Sequence, residues 1–309
     1  MKKIVVFGSI NTDLAITAPY FPTKGETLKG GNFSISQGGK GANQAVAASR
    51  LGAKVDFIGC VGNDPFGKKA LEAFKCENIN TKYIRTVDGI PSAVAVIIKV
   101  NNDNRIILDL GANELLCAED LNNYKLYQIV KDSIFITQLE NKQEEIMKAI
   151  KLAKASYMST IFNPAPASIL PDEIYQYVDY LVINQTEAKI LTGIYPLTKD
   201  DAKNIYSILK AKGLNNLILT LGVLGSVVIT RSEINKIESV EVRAIDTTGA
   251  GDAYIGALAY SLANGEDLVS ACNFASIVAS ISVTKMGAQD SLPTMDEVNC
   301  FKRSIENGK

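Results

Sequence analysis

Apolar residues arrive in short, almost unbroken runs separated by stretches with a helical period. Lys3–Gly8 is such a run and closes on glycine. A strand buried on both faces reads this way, because neither side of its pleat meets water. Val55–Gly59, Ile134–Thr137, Thr160–Asn163, Tyr180–Ile183 and Leu217–Thr220 repeat the pattern. Between them, Ala42–Leu51, Phe66–Glu77, Glu144–Ala155 and Ala202–Lys212 carry helical periodicity, the first ending at Gly52 as a C-terminal stop. Residues 251–264, 267–284 and 294–306 read as closing helices. Strands alternating with helices at this rhythm predict a central, mostly parallel sheet wrapped by helices.

Two regions break the rhythm. Leu14–Gln37 and Gly89–Leu110 read as β segments without intervening helices. Ala93–Val100 and Arg105–Leu110 flank Asn101-Asn102-Asp103-Asn104, a hairpin turn signal. The expectation is an α/β fold, Rossmann-like in layout, with a small β-sheet lid built from about 14–37 and 89–110. No repeat, low-complexity segment or linker divides the chain, which predicts a single α/β domain over 1–309.

Composition narrows the chemistry. The chain contains no histidine. That excludes Ser-His-Asp and Cys-His catalysis, His-ligated zinc and a histidine proton shuttle, leaving acid–base work to Asp, Glu, Lys, Tyr or Cys. The formal net charge is -1 with no long basic run, so nucleic acid is not an expected partner. The five cysteines form no C-x-x-C pair, the pattern of reduced thiols in a cytoplasmic protein. The apolar start breaks at Ser9, Asn11, Thr12 and Asp13, which argues for a buried strand over a secretion signal, and no apolar stretch is long enough to span a membrane.

The most informative stretch is Asp246-Thr247-Thr248-Gly249-Ala250-Gly251-Asp252, between a strand-like segment at Val240–Ala244 and a helix over Ala253–Leu262. Glycines at a helix start let backbone N–H groups point outward together, and with the helix dipole they receive a phosphate or a developing anion. An Asp in the same turn is placed to take a hydroxyl proton, the pairing that phosphoryl transfer needs. Alone, the stretch also fits a merely capped helix. Gly38-Gly39-Lys40-Gly41-Ala42-Asn43 opens another helix but is neither a Walker A loop nor a dinucleotide fingerprint. Taken alone it reads as a tight strand-to-helix turn. Polar residues also cluster after four strands: at Asn11–Asp13, at Glu140, at Asn184–Glu187 and at Thr220–Gly225. In open α/β sheets ligands bind beyond the carboxyl ends of the strands, so four such clusters on one rim point to a site.

In combination these motifs resemble the ribokinase family of sugar kinases, in order and over nearly the full length. The residues that carry the resemblance are Gly8–Asp13, Gly38–Ala48, Val61–Asp64 with Phe66-Gly67, Asn163–Ala167, Asn184–Gly193, Asp246–Asp252, and Gly287–Gln289 with Ser291 and Pro293. The resemblance implies ATP-dependent phosphorylation of ribose at its 5-hydroxyl. It implies Asp252 as the base, with Gly249, Ala250 and Gly251 as an anion hole. Asn11, Asp13, Gly39, Lys40, Asn43 and Glu140 would bind the sugar. Asn184, Thr220, Gly222, Gly225, Gly251 and Asn273 would contact ATP. Glu187 would position magnesium through water. Asp246, Thr248, Ser282, Lys285, Gly287 and Ser291 would hold potassium, several through carbonyls. Pairing of lids would make a homodimer, covering apolar positions such as Ile35, Val94, Val96, Ile98 and Ile107. The competing readings are a kinase of the same fold acting on 2-deoxyribose, fructose or a nucleoside, a non-catalytic sugar sensor, and a nucleotide-dependent dehydrogenase.

Overall fold

The computed structural model describes residues 1–101, 103–128 and 130–307. Its strands in chain order are β1 (Ile4–Phe7), β2 (Asn11–Thr17), β3 (Gly31–Gly38), β4 (Val55–Gly62), β5 (Asn80–Val87), β6 (Ala93–Val100), β7 (Asp103–Asp109), β8 (Ile134–Thr137), β9 (Ser159–Phe162), β10 (Tyr180–Asn184), β11 (Asn216–Thr220), β12 (Ser226–Ile229) and β13 (Ile234–Ile237). Its α-helices are α1 (Lys40–Arg50), α2 (Pro65–Cys76), α3 (Ala118–Tyr127), α4 (Gln143–Ala155), α5 (Gln185–Thr192), α6 (Lys199–Ala211), α7 (Ala250–Ala263), α8 (Leu268–Ser282) and α9 (Met295–Asn307).

Nine strands form one sheet in the order β13-β12-β11-β10-β9-β8-β1-β4-β5. From β11 to β5 all neighbours are parallel, and only β12 and β13 pair antiparallel at the edge. Both faces are covered, as the apolar runs require. Ile4 and Val6 join a core with α1, α7 and α8, whereas Val5 and Phe7 join a second core with α4 and α6 on the opposite face. The chain leaves β1 toward β4 and β5, then returns to the other side of β1 at β8. That reversal opens a crevice at the carboxyl ends of β1 and β8, where open α/β sheets bind ligands.

A separate four-stranded sheet has the order β3-β2-β6-β7. The two irregular β regions of the sequence do form this small sheet, although it starts earlier than expected, at Asn11. The turn between β6 and β7 is also tighter than expected. Val100 already faces Asp103, with Asn101 at φ 53°, so Asp103 and Asn104 belong to the strand, and Asn102 lies outside the described residues. Val240–Ala244 forms no strand. The edge hairpin is β12–β13 instead, formed before that segment. Among the described residues no helix is long and apolar enough to cross a membrane.

Candidate active site

The crevice between β1 and β8 is lined by side chains from three segments. Glu140, just after β8, takes three donors on one oxygen: Ser9 Oγ at 2.7 Å, Lys40 N at 2.9 Å and Asn11 Nδ2 at 3.3 Å. Among the described residues no donor reaches Glu140 Oε1, which leaves that oxygen for a hydroxyl. Asn11 is buried, and its Oδ1 accepts from Asn113 Nδ2 at 2.8 Å. Asp13 stands two residues further along β2. Burial, then the carboxylates of Glu140 and Asp252, push its pKa up to about 6, against the opposing pull of Lys99. A site that gathers three carboxylates spends electrostatic energy to do so, as functional clefts commonly do.

The glycine-rich start of α1 has a steric cause. Gly39 sits at φ 92°, and a Cβ there would lie 2.8 Å from Asn11 N; one on Gly41 would lie 2.6 Å from Ser9 N. Only glycine lets α1 begin against the β1–β2 turn. The tight-turn reading therefore holds for these two glycines, and the close approach is what delivers Lys40 N to Glu140.

Asp252 lies in the first turn of α7 and is buried. Each of its oxygens accepts one side-chain amide: Oδ2 from Asn43 Nδ2 at 2.9 Å and Oδ1 from Gln44 Nε2 at 3.0 Å. Asn43 Oδ1 is buried without a partner, an acceptor that calls for a hydroxyl donor. Gly249 caps α7 at φ 78°. Ala250 N–H is spent on the Thr247 carbonyl at 3.2 Å. The N–H groups of Gly251 and Asp252 have no partner among the described residues, so they, more than Ala250, face outward in this state. A Cβ on Gly251 would meet nothing within 4 Å, which leaves the approach to those amides open.

Beyond Asp252 a cleft of about 210 Å³ is lined by Lys40, Asn184, Glu187, Thr220, Gly249, Gly251 and Asp252, together with Asn163, Thr247 and three apolar residues. Burial pulls the Lys40 ammonium down, but Asp252, Glu140 and Glu187 outweigh it and hold its pKa above the usual lysine value. Lys40 is therefore a cation between both clusters. Glu187 closes a capping box on α5, accepting from Asn184 N at 2.8 Å and Asn184 Nδ2 at 2.9 Å. Burial raises its pKa despite the Asn184 N–H and Lys40. A carboxylate destabilised by burial, facing a cleft that holds Asp252, fits a hydrated divalent cation.

A second loop pair lies beside the start of α7. Asp246 Oδ2 accepts from Gly287 N at 3.0 Å, and Oδ1 accepts from Thr248 N at 2.9 Å and Thr248 Oγ1 at 2.6 Å. Burial opposes ionisation of Asp246, but these hydrogen bonds win and hold its pKa low. Lys285 Nζ is drawn to Glu297 at 2.5 Å, so only its carbonyl is on offer to a cation. Ser282 Oγ and Ser291 Oγ donate to the carbonyls of Ala279 and Ala288. An anionic carboxylate among hydroxyl and carbonyl oxygens fits a hard monovalent cation.

Not every sequence candidate joins the cleft. Gly222 and Gly225, at φ 60° and 84°, shape the β11–β12 turn beyond it. Asn273 is exposed on α8, and its amide is bonded to the Val269 carbonyl of its own helix. Conversely, Ser9, Gln44, Asn113, Asn163 and Thr247 enter the site although none was singled out. Ser9, Gln44, Asn163 and Thr247 sit inside the quoted motifs, with no role given to them there. Asn113 carried no local signal.

A family profile described as pfkB family carbohydrate kinase matches residues 1–295. A ribokinase of Haemophilus influenzae is 41% identical, covering 96% of this chain and 97% of the relative. A deoxyribokinase of Salmonella typhi is 37% identical, covering 96% and 97%. Among solved structures, an Arabidopsis thaliana ribokinase complexed with ribose and ATP superposes with a TM-score of 0.89 at 28% identity, covering 97% of this chain and 98% of that one.

Proposed function

This chain belongs to the pfkB family of carbohydrate kinases, and from that premise we propose that it transfers the γ-phosphate of ATP to the 5-hydroxyl of ribose. The observation that carries the reading is the placement of Asp252. A buried carboxylate stands at the start of a 14-residue helix, beside two unpartnered amides and between a hydroxyl-binding cluster and an open cleft. In this reading Asn11, Asp13, Asn43 and Glu140 hold the sugar, with Gly39 shaping the pocket floor. Lys40 bridges sugar and phosphate. The sugar oxygen bonds to the γ-phosphorus while Asp252 accepts its proton and ADP leaves. In the Gly249–Ala250–Gly251 turn it is the Gly251 amide, with that of Asp252, that takes the spreading negative charge, since the Ala250 N–H is bonded to the Thr247 carbonyl. Asn184 and Thr220 line the way in for the nucleotide, and Gly222 and Gly225 shape the β11–β12 turn beyond them.

Glu187 would hold magnesium through water, and the ion would supply neutralisation of phosphate charge. Asp246, Thr248, Ser282, Lys285, Gly287 and Ser291 would hold potassium, several through carbonyls, and the ion would supply a fixed positive charge tying together the loops that flank the anion hole. The small sheet acts as a lid over the sugar. Its outer positions Phe33 and Ile107 are 62% and 69% exposed, and Ile35 and Val96 are exposed on the same face, an apolar face that a second copy covers. Val94 and Ile98 are only half exposed and contribute less. The cytoplasm is its compartment in this reading, supported by five free cysteines; a disulfide found in the native protein by mass spectrometry would contradict it.

The test is ADP release measured against ribose, 2-deoxyribose, fructose and a nucleoside, in the parent and in Asp252→Asn. Ribose should give the highest kcat/KM. The variant should lose about 10²–10⁴ in kcat, the usual cost of a positioned general base, while still binding sugar and ATP. Preference for another acceptor would change the substrate, and near-parental turnover in Asp252→Asn would remove the base.

A further inference from the structure

Asp252 is held from behind by residues that no motif role covers. Gln44 and Gln138 are both completely buried. Gln138, after β8, donates Nε2 to Gln44 Oε1 at 2.7 Å, and Gln44 donates Nε2 to Asp252 Oδ1 at 3.0 Å. Room for Gln138 comes from Gly8, where a Cβ would fall 2.2 Å from Gln138 Oε1.

The order of donors sets the direction of the whole chain. An amide has one acceptor end and one donor end. With Gln138 Nε2 on its acceptor, Gln44 presents its donor to Asp252 Oδ1 at 3.0 Å and to Asn163 Oδ1 at 3.5 Å. A flipped Gln44 would set its oxygen against the acceptor oxygens of both Asp252 and Asn163, leaving buried polar groups without a donor.

A carboxylate turns easily about its terminal torsion, whose wells are broad. Two donors, one on each oxygen, define its plane. Asn43 is one of them, but it also bears the buried, unpartnered Oδ1 and is a proposed sugar ligand. Its hold on Asp252 is shared once a sugar binds. Gln44 has no such second task, and its far end is pinned. A lysine in its place would reach the same oxygen, but its charge would make the carboxylate a poorer base. A neutral amide orients without that loss.

We infer that Gln44, locked by Gln138, is a positioning residue that fixes the plane of Asp252 for proton acceptance. This rests on Asp252 being the base. Its signature is a loss in kcat with little change in KM, because the carboxylate's orientation matters most while the proton moves. Gln44→Met keeps the side-chain length and removes the donor. It should lower kcat by about tenfold or more, the scale of one lost hydrogen bond to a charged group, with KM for ribose and ATP within about twofold. Gln138→Met should lower kcat by a smaller factor in the same way. Because Gln138 acts through Gln44, the double variant should be no slower than Gln44→Met alone.

Parental kcat in Gln44→Met, a rise in KM without loss of kcat, or independent losses that multiply in the double variant would each overturn the inference. Should Gln44→Met fail to fold, Gln138→Met decides by itself: lower kcat at unchanged KM supports the relay, and parental kcat refutes it. Asp252→Asn keeps the two readings apart. If it is inactive while Gln44→Met is normal, only the relay falls; if it is active, the base assignment falls.

Discussion

Replacing Gly256 with Ala is expected to cut turnover far more than stability. Gly256 lies one turn after Asp252 on α7 and faces α1. A Cβ there would fall 2.5 Å from Ala47 Cβ, 2.8 Å from the Gln44 carbonyl oxygen and 2.9 Å from Ala48 N. Comfortable carbon contacts need about 3.5–4.0 Å, so the two helices must part by ~1 Å. The obstructing atoms are backbone and a Cβ, and none can swing aside. Overpacking of this kind costs ~1–3 kcal/mol, and the better helix propensity of Ala returns about 0.8–1 kcal/mol. The net loss should move Tm by only a few degrees. The same parting would stretch the bonds from Asn43 and Gln44 to Asp252, now 2.9 and 3.0 Å, beyond hydrogen-bond range. Misplacing a reacting group by about 1 Å costs on the order of 10²-fold in rate. Coupled ADP release gives kcat, and differential scanning fluorimetry gives Tm. Parental kcat in Gly256→Ala, with a normal or raised Tm, would refute the reasoning that α1–α7 spacing sets the geometry of the base.

Three further outcomes are expected. Asp13 has an ordinary value of 3.8 and about 6 in the fold, so the folded protein binds more protons across that window and loses stability as pH rises through it. Asp13→Asn should therefore raise Tm at pH well above 6 and much less near pH 4, while kcat/KM for the sugar falls; equal Tm shifts at both pH values would contradict the burial account. Potassium should raise kcat and sodium should do so poorly, and equal rates in potassium-free buffer would remove the ion from the reaction. Sedimentation should give a dimer that Ile107→Lys weakens, since a buried unpaired charge is costly; a monomeric parent at working concentration would leave the lid face without its partner.

The fold was legible wherever one face-blind rule applied. Runs such as Ile134–Thr137 admit no wet side, so their burial on both faces followed from their letters. β5 (NTKYIRTV) escaped notice because an edge strand keeps polar positions, and Val240–Ala244 misled because its apolar letters find no strand neighbour. Four polar clusters at strand ends were readable for the same reason that the strands were: parallel strands put their carboxyl ends on one rim.

What the chain by itself determined was local: which segments bury both faces, where glycines open a helix start, and that no histidine can serve as base. What only the tertiary structure decided was which of those local features meet. Gln44 and Asp252 stand 208 residues apart and touch because α1 and α7 cross at Gly256. Glu140 gathers Ser9, Asn11 and Lys40 because the chain reverses between β1 and β8. Which amide of the α7 turn is free, and that Asn273 turns to its own helix, depend on hydrogen bonds settled by neighbours. Propensity and patterning act over a few residues, whereas a site is a coincidence of distant ones, set by how closely helices and strands can pack.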